Sequence, residues 1–322
     1  MQRRKFITLV GSAAAWPLVA IAQEAGRSYR LGILVPAPRA SAAIAAFFEE
    51  LRVNGFVEGQ NLIVTFDGFN VRNEQISEGA KAVVASNPDA IVAGPELYAR
   101  ALVAATKTIP LVSMSEDLVG AGLAASLARP GGNVTGISLL SPELDDKRQG
   151  LLLEAVPGAR RMATLVDASI TPAHHLDALR AAANSRGIEL IFYRITKASE
   201  IGNALDEAKA KGAEAINVLA TPLFFINAQI IIERTTRLRL PAIFQWPELA
   251  EQGGLLGYGP PFTEVYRQRA RQVAKILRGA KPSEIPVEQP LKFELAINLK
   301  TAKNIGCELP AGMVLRADKV IE

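Results

Sequence analysis

A single cysteine, Cys307, rules out an internal disulfide. With only two histidines, the adjacent His174 and His175, the chain also has too few ligands for a zinc or thiol framework. It contains no G-x-S-x-G elbow. The cysteine lies near the C-terminus, and neighbouring histidines on a loop or first helical turn point in different directions. The sequence therefore supplies neither the constellation of an enzyme nor a metal site. An excess of one charge is missing too, once the first 22 residues are set aside. Three of the 36 basic residues and none of the 32 acidic ones fall there, leaving 33 against 32. The pI of about 9.2 thus reflects a short segment, and the rest has no electrostatic footprint for nucleic acid or an anionic membrane.

That segment has its own character. Arg3, Arg4 and Lys5 precede an apolar run from Phe6 to Ala15, and Ala20-Ile21-Ala22 gives a small-residue end before Gln23. This is the layout of a cleavable export signal, expected over residues 1–22, and "RRKFI" follows the twin-arginine pattern. The run breaks at Trp16-Pro17, short of the ~20 apolar residues a membrane helix needs. No membrane insertion is expected after its removal, and the localisation implied is a Gram-negative periplasm.

What remains, about 300 residues with 49% hydrophobic content, suffices for two cores. Short apolar runs such as "RLGILV" (30–35), "DAIVA" (89–93), "IPLVSM" (109–114) and "VTGIS" (134–138) alternate with longer helical stretches. The rhythm resumes with "RMATLVD" (161–167), "IELIFYRI" (188–195), "AEAINVLA" (213–220) and "PAIFQW" (241–246). Strands followed by helices predict βαβ units, hence two α/β lobes in series with parallel sheets. Between the series lies "LARPGGNVTGIS" (127–138). It is a poor phosphate cradle, because its order is helix, glycines, strand, whereas a cradle needs strand, glycines, helix. "GAGLAAS" (120–126) opens a predicted helix with G-x-G spacing, but Glu116-Asp117 put negative charge where a pyrophosphate would lie. No cofactor is expected. Asn133 of the "NVT" sequon reads as turn plus strand start, and "DDK" (145–147) reads as a solvated helix face.

Longer stretches resemble a known family. "NGFVEGQNL" (54–62), "TIPLVSMSEDLVGAGLAASLARPGGNVTGIS" (108–138), "RLPAIF" (239–244) and "YRQRARQVAKILRGAKPSEIPVEQPLKFELAINLKTAKNIGCELP" (266–310) are similar to the ABC transporter substrate-binding proteins that include tryptophan- and tyrosine-type uptake receptors. The resemblance implies a type I periplasmic-binding-protein fold: two Rossmann-like lobes, three crossover strands, and a small ligand in the cleft. The expected first lobe is 28–138 plus about 259–284, and the second is 139–258 plus about 285–322. "PGGNVTGIS" would lead into the first crossover, "GGLLGYGP" (253–260) would hold the second, and "VEQPLKFEL" (287–295) the third. The implied partners are a small-molecule ligand and the permease subunits of an importer, with the receptor a monomer. A periplasmic sensor docking on a signalling protein is the alternative.

Ligands of open parallel sheets sit beyond the carboxyl ends of the strands. The candidate site residues are therefore Pro36, Ala37, Gly94, Pro95, Glu96, Ser113, Met114 and Ser115 in the first lobe. In the second they are Asp167, Thr221, Pro222, Gln245 and Trp246, with Tyr258 near a crossover and free to stack on an aromatic or apolar ligand. The plainer readings are helix caps for Ser115, Thr221 and Asp167, and lobe core for Trp246. Where the family carries Gly-Thr this chain has Gly94-Pro95, so a hydroxyl and an amide donor are missing and Glu96 is added. A receptor working near 1 μM needs ~8 kcal/mol, which calls for roughly ten to twenty-five heavy atoms, the size of an amino acid or aromatic acid.

Overall fold

The computed structural model describes residues 27–139 and 141–322; the expected export signal lies outside them. No helix among the described residues is long and apolar enough to cross a membrane.

The first lobe is built on β1 (Tyr29–Leu34), β2 (Leu62–Gly68), β3 (Ala90–Ala93), β4 (Leu111–Ser115) and β5 (Val134–Ser138), in the order β2-β1-β3-β4-β5 and all parallel. β3, β4 and β5 are buried at every position, as strands covered on both faces must be. One face carries α1 (Ala42–Val53), and the other α2 (Ile76–Ala85) and α3 (Glu96–Ala105). Alongside α1 lies α10 (Phe262–Leu277), from far along the chain, whose Val265, Tyr266 and Val273 complete the core over Val92, Val112 and Ile137.

The second lobe begins with α4 (Ser141–Ala155). Then follow β6 (Arg161–Asp167), α5 (Ala173–Asn184), β7 (Glu189–Ile195), α6 (Ile201–Ala210), β8 (Ala215–Val218), α7 (Pro222–Ile226), α8 (Ala228–Arg237), β9 (Ala242–Phe244), α9 (Pro247–Glu251) and β10 (Leu256–Gly259). After α10 the chain returns with β11 (Glu294–Asn298), α11 (Leu299–Ile305), α12 (Ala311–Leu315) and β12 (Lys319–Ile321). The sheet order is β12-β11-β10-β9-β8-β6-β7. Its pairing is parallel except between β10 and β11, so the expected wholly parallel sheet is mixed here.

The chain passes between lobes three times, after Ser138, after Gly259 and after Glu288. The first and third passages run side by side. Glu288 donates its N–H to the Gly136 carbonyl and accepts from Ser138 N–H, both at 2.9 Å, and Thr135 Oγ1 donates to the Ile285 carbonyl at 2.8 Å. Gln272 on α10 holds both, donating to Gly136 O at 3.1 Å and Pro286 O at 3.3 Å.

One expectation is corrected. Residues 117–132 are turns and bends, without the helix read from "GAGLAAS". Asp117 Oδ1 accepts the N–H groups of Val119 and Gly120 at 3.0 and 2.9 Å, and Ser126 Oγ makes two bonds to the Arg129 backbone. Short polar side chains here satisfy the backbone locally and displace a helical ladder. Gly131 and Gly132 enter β5 at its amino end, and the passage to the second lobe leaves its carboxyl end. The sequon amide is engaged: Asn133 Nδ2 donates to the carbonyls of Thr106 and Ile109.

Candidate functional site

The two lobes meet at the carboxyl end of β4. Ser113 and Ser115 share one face of that strand by its period of two. Ser113, wholly buried, donates through Oγ to the Gly94 carbonyl at 2.9 Å. Gly94 admits no side chain there, since a Cβ would lie 2.7 Å from the Tyr98 ring and 3.0 Å from Pro36. Ser115 is buried and its Oγ has no hydrogen-bond partner among the described residues; it caps nothing. Met114, on the opposite face, belongs to the core under α10. Pro36 and Ala37 are half-buried at the end of β1, where the Ala37 carbonyl accepts from Asn70 N–H at 3.0 Å. Pro95 precedes α3, and Glu96, in its first turn, pairs with Arg100 at 2.7 Å.

One residue beyond Ser115 is Glu116. Its side-chain Oε2 is sealed from solvent and unpartnered. Burial pushes the carboxyl up to about 8; Asp145 adds to the rise, Arg148 opposes it, and Glu96 adds further. Glu116 thus faces charges at the start of α4 in the second lobe.

Those charges form a buried network that the reading of "DDK" as a solvated face missed. Asp145 is 3% exposed and Arg148 1%. Arg148 donates through Nη1 to Asp145 Oδ1 at 2.5 Å and through Nε to the Tyr258 carbonyl at 2.8 Å. Asp145 Oδ2 lies 3.0 Å from His175 Nε2, and its carbonyl accepts from Asn217 Nδ2 at 3.2 Å. His174 is exposed, so the two histidines do diverge. A signal existed in the spacing: Asp145, Arg148, Gln149 and Leu152 follow i, i+3, i+4, i+7, which sets three polar residues on the helix's buried stripe.

In the second lobe Thr221 caps a helix and Trp246 lies in the core, whereas Asp167 caps no helix, the residue before α5 being Pro172. Asp167 accepts from Ser169 N–H at 3.0 Å and from its hydroxyl, holding the loop after β6. Thr221 caps α7, its Oγ1 accepting from Phe224 N–H at 3.3 Å, with Pro222 in the first helical turn. Gln245 is buried; with its amide turned so that both ends are satisfied, it donates to Leu219 O and accepts from the Trp246 indole N–H, each at 3.0 Å. Trp246 packs edge-on against Phe262 of α10 with ring centroids 4.7 Å apart, and Phe225 and Tyr266 extend the cluster, so the aromatic core runs from one lobe into the other. Tyr258 is half-buried in β10, stacked on Phe293 at 6.5 Å and packed on the second-lobe core. The antiparallel neighbour β11 sets Leu295 opposite it.

Arg269 also went unread. It is wholly buried on α10, donates to the carbonyls of Ala93 and Val112, and lies 4.8 Å from the Tyr266 ring centroid. Its Nε and Nη1 have no partner among the described residues, and burial lowers its proton affinity. Those residues also hold no group of three or more His, Cys, Asp or Glu disposed for a metal ion.

Two α/β lobes with mostly parallel sheets, joined by three passages of chain, define a type I periplasmic-binding-protein fold. The chain belongs to the ABC transporter substrate binding protein family, whose model matches residues 32–321. It is 27% identical over 278 residues to a tyrosine-binding protein of Clostridioides difficile, covering 84% of this chain and 78% of that one. A conserved domain protein of Vibrio cholerae superposes with a TM-score of 0.81 at 26% identity, over 91% of this chain and 99% of the other. An ABC domain from Streptococcus pneumoniae in complex with L-Trp gives 0.80 at 20% identity, over 91% and 100%.

Proposed function

We propose that this protein is a periplasmic solute receptor that captures a small organic ligand, an amino acid or aromatic acid, between its lobes and delivers it to the permease subunits of an ABC importer. The observation that carries the reading is the meeting of the lobes at strand carboxyl ends, where Glu116 of the first faces Asp145 and Arg148 of the second. A ligand there touches both lobes, so it favours the closed arrangement by its differential affinity for it. Among the described residues three passages of chain link the lobes, few enough to flex together, which suits a hinge. The tyrosine-binding relative supports the ligand class.

A thermal-shift screen of amino acids and aromatic acids tests it. A saturating ligand at 100 times its Kd adds about 2.7 kcal/mol of stability and raises the melting midpoint accordingly. A screen in which no compound moves the midpoint refutes the ligand class.

A further inference from the structure

We propose that the second lobe holds a single internal water molecule between α4, α5 and the sheet, accepting the Thr164 hydroxyl proton and donating to the side-chain oxygens of Asn217 and Gln149. The site is independent of the ligand taken between the lobes.

Thr164 on β6 and Asn217 on β8 are register partners on neighbouring parallel strands, so their side chains leave the same face of the sheet. That face carries Met162, Val166 and Ala215 in the core with α4 and α5. α4 packs over β8 and α5 over β7, and β6 lies between those two strands. Gln149 crosses from α4 to α5 above β6, donating through Nε2 to the Leu179 carbonyl at 3.2 Å. One turn earlier, Asp145 reaches His175 across the same groove. Asn217 Nδ2 donates at 3.2 Å to the Asp145 carbonyl, which is also the acceptor for the Gln149 N–H in the i to i+4 ladder of the helix. The Asn217 amide therefore lies against the turn that carries Gln149.

These bonds fix both amides. Turning either would set its oxygen against a carbonyl oxygen, so each presents an acceptor with no hydrogen of its own to the remaining side. Thr164, Asn217 and Gln149 are wholly buried, and Thr164 Oγ1, Asn217 Oδ1 and Gln149 Oε1 have no partner among the described residues, so they do not bond one another. One hydroxyl proton cannot serve two acceptors, and buried carbonyl oxygens left unpaired are costly. A water molecule balances the set. Its two hydrogens go to the amide oxygens and its lone pair takes the hydroxyl proton, which matches the about three hydrogen bonds that a buried water makes. A metal ion fits worse, because these oxygens are neutral and the nearby Asp145 carboxylate is taken by Arg148 and His175. The water thereby pins α4, the helix that follows the first passage between lobes, to β6 and β8.

A high-resolution crystal structure of the protein tests the site. A density peak is expected within about 2.7–3.2 Å of all three oxygens. No peak there, or one with shorter contacts and hence a metal ion, overturns the proposal.

Thr164→Val tests it in solution, because the change keeps the shape and removes the hydroxyl. With the water in place, valine leaves it short of a partner, and the melting midpoint should fall by about 2 °C or more. Without the water, the Thr164 hydroxyl is an orphaned buried group whose removal is neutral or stabilising. A variant that melts at or above wild type overturns the proposal. If Thr164→Val fails to fold, Thr164→Ser and Thr164→Ala decide: both lose the methyl group, and the alanine variant, which also lacks the hydroxyl, should melt lower. An alanine variant that melts at or above the serine variant overturns the proposal as well.

Discussion

Glu248 of α9 accepts the backbone N–H of Phe262 at 2.7 Å, so a carboxylate from the second lobe caps the helix that completes the first. The contact spans Pro260-Pro261, the second passage between lobes, and places negative charge at the positive end of α10. Burial holds the Glu248 carboxyl above its ordinary proton affinity, while backbone N–H groups, including that of Phe262, pull it back.

Glu248→Ala should lower the stability of the ligand-free protein by about 1–2 kcal/mol, the size of a lost helix cap. Glu248→Gln should restore most of it, because the amide oxygen still accepts. Denaturant melts followed by Trp246 fluorescence read this directly. The only other tryptophan, Trp16, leaves with the export signal if that is cleaved.

Arg148 and Asp145 should prove strongly coupled. Either single change to Ala leaves a buried partner uncompensated and is expected to lower stability by about 3–5 kcal/mol. The double variant should lose markedly less than the sum, as residues in one network do. An additive result in a double-mutant cycle would show that the pair is energetically independent despite its 2.5 Å contact.

Arg269 offers an opposite test. Its guanidinium is buried with two unpartnered nitrogens, so Arg269→Met, which keeps the volume and removes the charge, should be neutral or stabilising. Arg269→Ala should cost about 2–5 kcal/mol by leaving a cavity under β3 and β4. Equal losses in both variants would assign the charge itself a structural role.

Among the glycines, Gly136 should be the least replaceable in β5. Its φ is +149° and a Cβ would fall 1.8 Å from the Ser113 carbonyl oxygen, so Gly136→Ala must part β5 from β4. A loss of about 3 kcal/mol or more is expected. Gly132→Ala, with nothing within 4 Å, should stay within about 0.5 kcal/mol. Melting midpoints of the two variants make the comparison.

The lobes were legible because buried parallel strands write themselves as short apolar runs, as in "AIVA" and "LVSMS". The candidates at strand ends were legible for the same reason, since topology fixes where those ends lie. Partner choice was not. Thr221 and Asp167 have the side chains of a ligand contact and of a loop cap alike, and only neighbours such as Phe224 N–H and Ser169 decide. β2, a half-exposed edge strand with Thr65 and Asp67 among its apolar residues, lacks a continuous run and escaped notice. Asp145 and Arg148 were obscured by composition, because a charged cluster looks solvated until its helical phase is compared with Leu144, Leu151 and Leu152. Glu116 was noticed only as a charge opposed to phosphate, and its burial depends on a lobe that begins 25 residues later in the chain.

The late arrival of α10 bears on how the protein is made. While the ribosome has delivered only the residues up to β10, Val92, Val112 and Ile137 still lack the helix that will cover them, although all five strands of their sheet are present. The second sheet at that moment also lacks β11 and β12. Neither lobe closes its core until some 290 residues have emerged, so the nascent chain stays open through nearly the whole of its synthesis. A product that stops at Gly259 should expose apolar surface on both halves and be cleared by proteolysis, without leaving a stable first lobe behind.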